Sequence, residues 1–212
     1  MRLKLFLILF LIGCTISGYA QLGIKAGVNM ANETKTFSQQ DISDAFSSKN
    51  LTGYQIGLIY QAMPNKSGLG CEFGAILSQK GSSFSDSTDI EDVIKQGYTE
   101  INYVEVPFNI RYRLTLGIIG VYGIAGIYGG YALSANTVDE ITNVVHGTNF
   151  NTFAEHVDYG YNLGAGLELF SKIQLGASWS QGLRNTAYTN TVIPTPTHAT
   201  NKVFSINMVY LF

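Results

Sequence analysis

The sequence predicts an all-β fold: an eight-stranded antiparallel up-and-down transmembrane β-barrel. Three observations carry this. Past residue 21, apolar and polar side chains alternate with a period of two in segment after segment, the pattern of a strand with two unlike faces. Long and short connections between those segments alternate strictly. Charged residues are only 13% of the chain, against roughly 25% in a soluble globular domain. The 212 residues include 13 Tyr, 12 Phe and 23 Gly, a composition suited to a sheet with one face against something apolar. The net charge of −2 offers no basic surface for phosphates, which argues against a nucleic-acid partner.

The chain opens with an export signal, residues 1–20. Arg2 and Lys4 precede the apolar run Leu5 to Ile12, and Gly18-Tyr19-Ala20 places small residues before a cleavage site at Gln21. The run is shorter than the roughly 20 residues a membrane helix needs. Leu11-Ile12-Gly13-Cys14 also resembles a lipobox, which would make Cys14 a lipidated N-terminus. Ordinary cleavage is favoured because Leu22 already begins a strand pattern. Cys71 then remains as a single cysteine, so no intrachain disulfide is expected. Residues 21–212 form the barrel domain.

Eight strands follow, at about 22–30, 51–62, 69–80, 99–113, 118–133, 157–170, 173–184 and 201–212. The fourth is the clearest. Val104, Val106, Phe108, Ile110 and Tyr112 alternate with Glu105, Asn109, Arg111 and Arg113. Tyr159, Tyr161, Leu163, Ala165, Leu167 and Leu169 alternate in the same way with Gly, Asn and Glu. The fifth strand is the least clear, since both its faces are apolar or Gly. Ile59, Val209 and Leu211 interrupt the pattern in the second and last strands. Pro107 removes a ladder donor, so a bulge is expected there.

Short turns fall at Pro64-Asn65-Lys66-Ser67-Gly68, Leu114 to Gly117 and Ser171-Lys172. The connections 31–50, 81–98, 134–156 and 185–200 each run to about sixteen residues or more. Outer-membrane barrels have short periplasmic turns and long outer loops. Ten strand residues tilted near 40° cover roughly 26 Å, close to the apolar band of about 25 Å.

Alternation alone also suits a soluble lipocalin-like carrier, with the apolar face turned inward around a ligand. Three features favour lipid outside. The polar face carries both signs, Glu72, Glu105, Asp158 and Glu168 against Lys25, Lys80, Arg111, Arg113 and Arg184, and such charges can pair in a narrow lumen. That face is also rich in Gly, Ser and Asn. Tyr54, Tyr60, Tyr112, Tyr159 and Tyr210 stand near the ends of apolar faces, where rings rest at a headgroup boundary. Glu72, Glu105, Arg111, Arg113 and Glu168 are therefore expected to form an interior charge network. The last strand ends in Tyr210 and Phe212, which resembles the C-terminal signal read by the outer-membrane assembly machinery.

At this point the chain resembles a known family. Gln21-Leu22-Gly23-Ile24-Lys25-Ala26-Gly27-Val28-Asn29-Met30-Ala31-Asn32 resembles the first strand of PorT-like outer-membrane barrel proteins. Tyr103-Val104-Glu105-Val106-Pro107-Phe108-Asn109-Ile110-Arg111-Tyr112 and the Gly-rich strand after it resemble their central strands. The resemblance extends over 21–212. It implies an integral outer-membrane barrel of Gram-negative bacteria. One branch of that family is tied to secretion and gliding, and no residue here singles out that branch.

Chemistry is sparse. His146, His156 and His198 lie in outer loops without metal-ligand spacing, and no cofactor or metal is expected. His156 and Ser134 sit at the outer rim, where a lipid A-modifying enzyme would carry catalytic groups. Asp86, Asp89, Glu91 and Asp92 make one loop acidic, and Asp139 and Glu140 another. These could hold divalent cations against lipopolysaccharide or meet a protein partner. The leading expectation is a non-enzymatic outer-membrane protein. Its partners would be membrane lipid and lipopolysaccharide, the assembly machinery, and an unknown protein at the outer loops.

Overall fold

A computed structural model describes residues 19–36, 46–63, 67–86, 96–139, 144–147, 156–184 and 198–212. The strands are β1 (Tyr19–Thr36), β2 (Phe46–Met63), β3 (Gly68–Asp86), β4 (Gln96–Leu116), β5 (Ile119–Asp139), β6 (Val144–Gly147), β7 (Val157–Leu169), β8 (Ile173–Gly182) and β9 (His198–Leu211). Every long strand pairs antiparallel with its chain neighbour. β1 pairs with β9, which joins the two ends of the sheet. The eight long strands thus close into a barrel. The expected eight are present, and the short β6 is an addition, a ribbon folded back on Asn136–Asp139 at the outer end. Residues 1–18, with Cys14 and most of the export signal, lie outside the described residues. Tyr19 and Ala20 continue β1 and face Met63 and Ala62 of β2.

The face assignment follows from exposure. Val106, Ile110, Tyr112, Leu163, Leu167, Ile206 and Met208 all point outward and are exposed. Arg111, Arg113, Glu72, Glu168 and Lys80 point inward and are buried. The apolar face is therefore the outer wall, and the carrier-like alternative, with that face around a ligand, does not describe this barrel. The residues that interrupted the alternation are explained by the same parity. Ile59, Val209 and Leu211 point inward and pack with Ile76 into a small apolar cluster.

The strands are longer than their sequence pattern. On β4, outward residues are apolar from Val104 to Leu116, a rise of roughly 30 Å at about 3.4 Å per residue and 40° tilt, the thickness of the hydrocarbon core. Above Val104 the outward partners turn polar. Gln79 donates to Glu100 (3.1 Å) and Asn102 donates to Ser134 (3.1 Å). The ladder continues regardless, from Asn102↔Ser134 up to Gly97↔Asp139. The sheet continues past this polar pair, beside the exposed Leu133.

Pro107 behaves differently from expectation. Partners between β3 and β4 run through Phe73↔Phe108 and resume at Ile76↔Glu105 in unchanged register. The missing N–H leaves a gap in the ladder but inserts no residue. The register shifts lie elsewhere, between Asn102 and Tyr103 opposite β5, and between Asn50 and Gln55 opposite β3. Near the second of these, Gly81 has φ +152, and a Cβ on it would collide with the Thr99 carbonyl oxygen. Only glycine fits there.

Candidate functional site

The lumen holds charged side chains at two levels. The lower level gathers four of the sequence-predicted residues. Glu72 projects from β3, Arg111 and Arg113 from β4 two residues apart, and Glu168 from β7. Arg111 Nη1 donates to Glu72 (2.9 Å) and Nη2 lies 3.6 Å from Glu168. Arg113 Nη1 donates to Glu168 (2.8 Å). Gln61 and Gln174 complete the layer. Gln61 donates to Glu72 (2.9 Å), Gln174 donates to Glu168 (2.8 Å), and the two amides bond each other at 3.0 Å. Two guanidinium groups balance two carboxylates, so the layer needs no counter-ion. Ionic pairs removed from water need further hydrogen bonds; the glutamines supply these to the two carboxylates, while Arg111 Nε and Nη2 have no hydrogen-bond partner among the described residues.

Glu105, the fifth predicted residue, belongs to the upper level. It pairs with Lys80 of β3, whose Nζ also lies 3.4 Å from Asp158. Tyr128 Oη donates to Asp158 (3.3 Å), and so does Asn201 (3.1 Å). Among the described residues, the ion pairs of Lys80 with Glu105 and Asp158 share no residue with those of Arg111 and Arg113 with Glu72 and Glu168. Between them a cavity of about 40 Å³ is lined by Lys25, Asn29, Gln55, Asn109, Ser178 and Ser205, among others. That is room for a few waters. Beside it, Asn29 donates to Ser78 (3.0 Å) and accepts from Ser205 (2.8 Å).

Aromatic rings close the remaining space. Tyr122 presents its face to Arg111, with the guanidinium carbon 3.6 Å from the ring centroid. Lys80 Nζ sits 4.3 Å from the Tyr128 centroid and 5.2 Å from that of Tyr103. All three contacts are cation–π interactions in a desolvated site. The rings lie across glycines of neighbouring strands. A Cβ on Gly166 or Gly176 would come within 2.5 Å of Tyr122 Oη, and one on Gly160 within 2.7 Å of Tyr128. Sequence reading missed Tyr122 and Tyr128 as lumen residues. The signal was present in the inward glycines that face them, but it is visible only once register is known. Gln61, Gln174 and Asn109 were read as polar-face residues of the same parity as the charged ones but were not named among the network.

At the outer rim, Ser134 accepts from Asn102. His156 Nδ1 lies 2.7 Å from the Ala132 carbonyl oxygen, and its ring stacks on Tyr131 at 4.6 Å. Arg184, just past β8, donates to the Val157 carbonyl oxygen. Asp89, Glu91, Asp92 and Glu140 lie outside the described residues. Among the described residues no three His, Cys, Asp or Glu side chains converge as a metal site would require. At the opposite end Tyr210 and Phe212 point outward, their rings edge to face at 5.6 Å. The Phe212 N–H donates to Leu22 (2.9 Å), which ties the chain terminus to β1.

The model of one protein family, described as outer membrane protein beta-barrel domain, matches residues 15–188. No curated protein matches the chain. Among solved structures, the outer membrane protein OprG of Pseudomonas aeruginosa is similar at 12% identity, covering 92% of this chain and 97% of that one, with a TM-score of 0.49. The attachment invasion locus protein Ail of Yersinia pestis is similar at 15% identity, covering 91% and 99%, with a TM-score of 0.45. Neisserial surface protein A is similar at 9% identity, covering 92% and 99%, with a TM-score of 0.46.

Proposed function

The chain belongs to the outer membrane protein beta-barrel domain family, and from that premise we propose a non-enzymatic interaction protein whose lumen is closed and whose outer sheet meets a partner at the cell surface. It is an integral protein of the outer membrane. The observation that carries the proposal is the polar seam Gln79–Glu100 and Asn102–Ser134, above which β3, β4 and β5 continue as an ordered wall. A lipid-embedded anchor alone would not need strands that rise past the lipid. The paired lumen supports the closed reading, since both ionic levels would have to break before a solute could pass.

Lipopolysaccharide is one partner of fitting chemistry, because the seam offers hydrogen-bonding groups level with its headgroups. An unknown protein is the other. Within the family, the segment Tyr103-Val104-Glu105-Val106-Pro107 supports a PorT-like assignment. It places Tyr103 and Glu105 around Lys80, so that its residues serve the lumen. The proposal includes cleavage before Gln21 and a role for Tyr210 and Phe212 as the signal for the assembly machinery.

A photo-crosslinking residue placed at Glu100 tests the interaction role, with Ile110 in the lipid belt as the control. In intact cells Glu100 is expected to capture lipopolysaccharide or protein, and Ile110 only phospholipid. Equal and purely phospholipid adducts at both positions would end the interaction reading.

A further inference from the structure

The cavity between the two ionic levels has a volume of about 40 Å³. Much of its polar lining is satisfied from within. Asn29 bonds Ser78 and Ser205, and Asn162 bonds Asn109 and Ser180. Three lining side chains stand apart. Lys25 of β1, Gln55 of β2 and Ser178 of β8 border the same cavity. Among the described residues none of the three has a hydrogen-bond or ion-pair partner. Gln55 is 7% exposed and Ser178 8%, so bulk water does not satisfy them, and buried polar groups of this kind call for a partner.

Register explains why Lys25 is left alone. Its neighbours of the same parity on β1 are Gly23 and Gly27. Across the sheet it faces Gly57 of β2 and Val209 of β9, so no carboxylate stands directly opposite. The charges that act on it are those of Glu72, Glu105 and Arg111, and each of these is bonded elsewhere. Glu72 accepts from Arg111, Gln61 and Asn109, and Glu105 pairs with Lys80. Asp158, the second carboxylate beside Lys80, accepts from Tyr128 and Asn201.

We propose that this cavity binds one small monovalent anion, the size of a halide, which accepts hydrogen bonds from Lys25, Gln55 and Ser178. Ammonium, amide and hydroxyl all carry donors, and no bond holds the Gln55 amide in another orientation. The three donors come from separate strands, so the anion ties β1, β2 and β8 together across the lumen. Water would satisfy the amide and the hydroxyl but would leave the ammonium without a counter-charge in contact. Lys25, Lys80, Arg111 and Arg113 equal Glu72, Glu105, Asp158 and Glu168 in number, so a ligand of higher negative charge is repelled. The site is internal and independent of any partner at the outer loops.

Refolding at constant ionic strength tests it. The barrel is refolded into vesicles in sodium chloride and, separately, in sodium gluconate, whose anion is too large for the cavity. A ligand bound only by the folded state raises the urea midpoint. The excess of the chloride midpoint over the gluconate midpoint is expected to be about 0.5 M urea greater in the wild-type protein than in Lys25→Gln. Equal excesses in the two overturn the proposal. Should Lys25→Gln fail to fold, Ser178→Ala serves in its place. There the excess is expected to fall by about half, as one of three donors is lost, and an undiminished excess overturns the proposal equally. Crystals grown in sodium bromide give a direct readout, an anomalous peak within about 3.5 Å of Lys25 Nζ. Water alone at that place, or Lys25 paired with Glu72 or Glu105, overturns the anion site.

Discussion

Arg111 Nη1 lies 2.9 Å from Glu72 Oε2, a donor on β4 meeting an acceptor on β3 at the lower level of the lumen. Both residues are buried, so neither charge has bulk water to fall back on. Around them Gln61, Asn109, Arg113, Gln174 and Glu168 extend the hydrogen-bonded layer. The layer joins strands β2, β3, β4, β7 and β8, and so acts across the barrel where backbone ladders act only between neighbours.

Removing one member of this pair is expected to cost more than any surface change. Arg111→Met takes from Glu72 its hydrogen-bonded cation and leaves it two amide donors, Gln61 and Asn109, and it removes the ring contact with Tyr122. Breaking a buried pair from one side costs about 3–5 kcal/mol. Urea unfolding of the barrel in vesicles measures this directly. A loss below about 1 kcal/mol would mean that water reaches the layer, contrary to its burial.

The upper level predicts an order of effects. Lys80 is a single cation shared by Glu105 and Asp158. Glu105→Ala leaves Lys80 with Asp158 and is expected to lower stability by about 1–3 kcal/mol. Lys80→Met leaves two carboxylates facing each other and is expected to cost more. Unfolding midpoints for the two variants check the ranking. A Glu105→Ala variant with an unchanged midpoint, or one less stable than Lys80→Met, would refute the shared-cation description.

The lumen glycines predict a compensation. A Cβ on Gly176 would stand 2.5 Å from Tyr122 Oη, with its other neighbours at 3.3 Å. Gly176→Ala should therefore push the ring off Arg111 and destabilise by about 1–3 kcal/mol, the usual range for overpacking. The clash is with the hydroxyl, so Tyr122→Phe should relieve most of it. A double-mutant cycle measures the coupling. Additive effects of the two changes would show that ring and glycine do not meet.

How much of this was legible in the sequence follows from where each signal came. The lipid-facing wall could be read because Val104 through Tyr112 are apolar at every second position, against Glu105, Pro107, Asn109 and Arg111 between them. The charged residues were readable for the same reason, yet their division into two levels was not. Parity tells which side of the sheet Glu105 occupies but not its height relative to Glu72. Strand ends above the seam were hidden: Gln79, Glu100 and Asn102 fell inside the expected strands, but the continuations 81–86, 96–98 and 134–139 were expected as connections while their backbones remain paired. Tyr122 and Tyr128 were ambiguous among glycines, since an inward tyrosine and an outward one give the same local pattern. Pro107 suggested a bulge, whereas a missing donor requires only a missing bond.

The height of the polar seam supplies a last prediction. Ile110 is outward and exposed near the middle of the apolar stretch of β4, whereas Gln79 is outward at the seam and bonds Glu100. A lysine on the lipid face costs about 2–4 kcal/mol at the midplane and about 0–1 kcal/mol near an interface. Ile110→Lys is thus expected to destabilise the barrel strongly in vesicles, and Gln79→Lys only slightly, since its ammonium remains in water beside the Glu100 carboxylate. The difference should shrink in detergent micelles, whose surface adapts around a single charge. Unfolding free energies in both media provide the comparison. If Gln79→Lys proved as costly as Ile110→Lys in vesicles, lipid would reach higher than the seam, and the wall above it would belong to the membrane rather than to the cell surface.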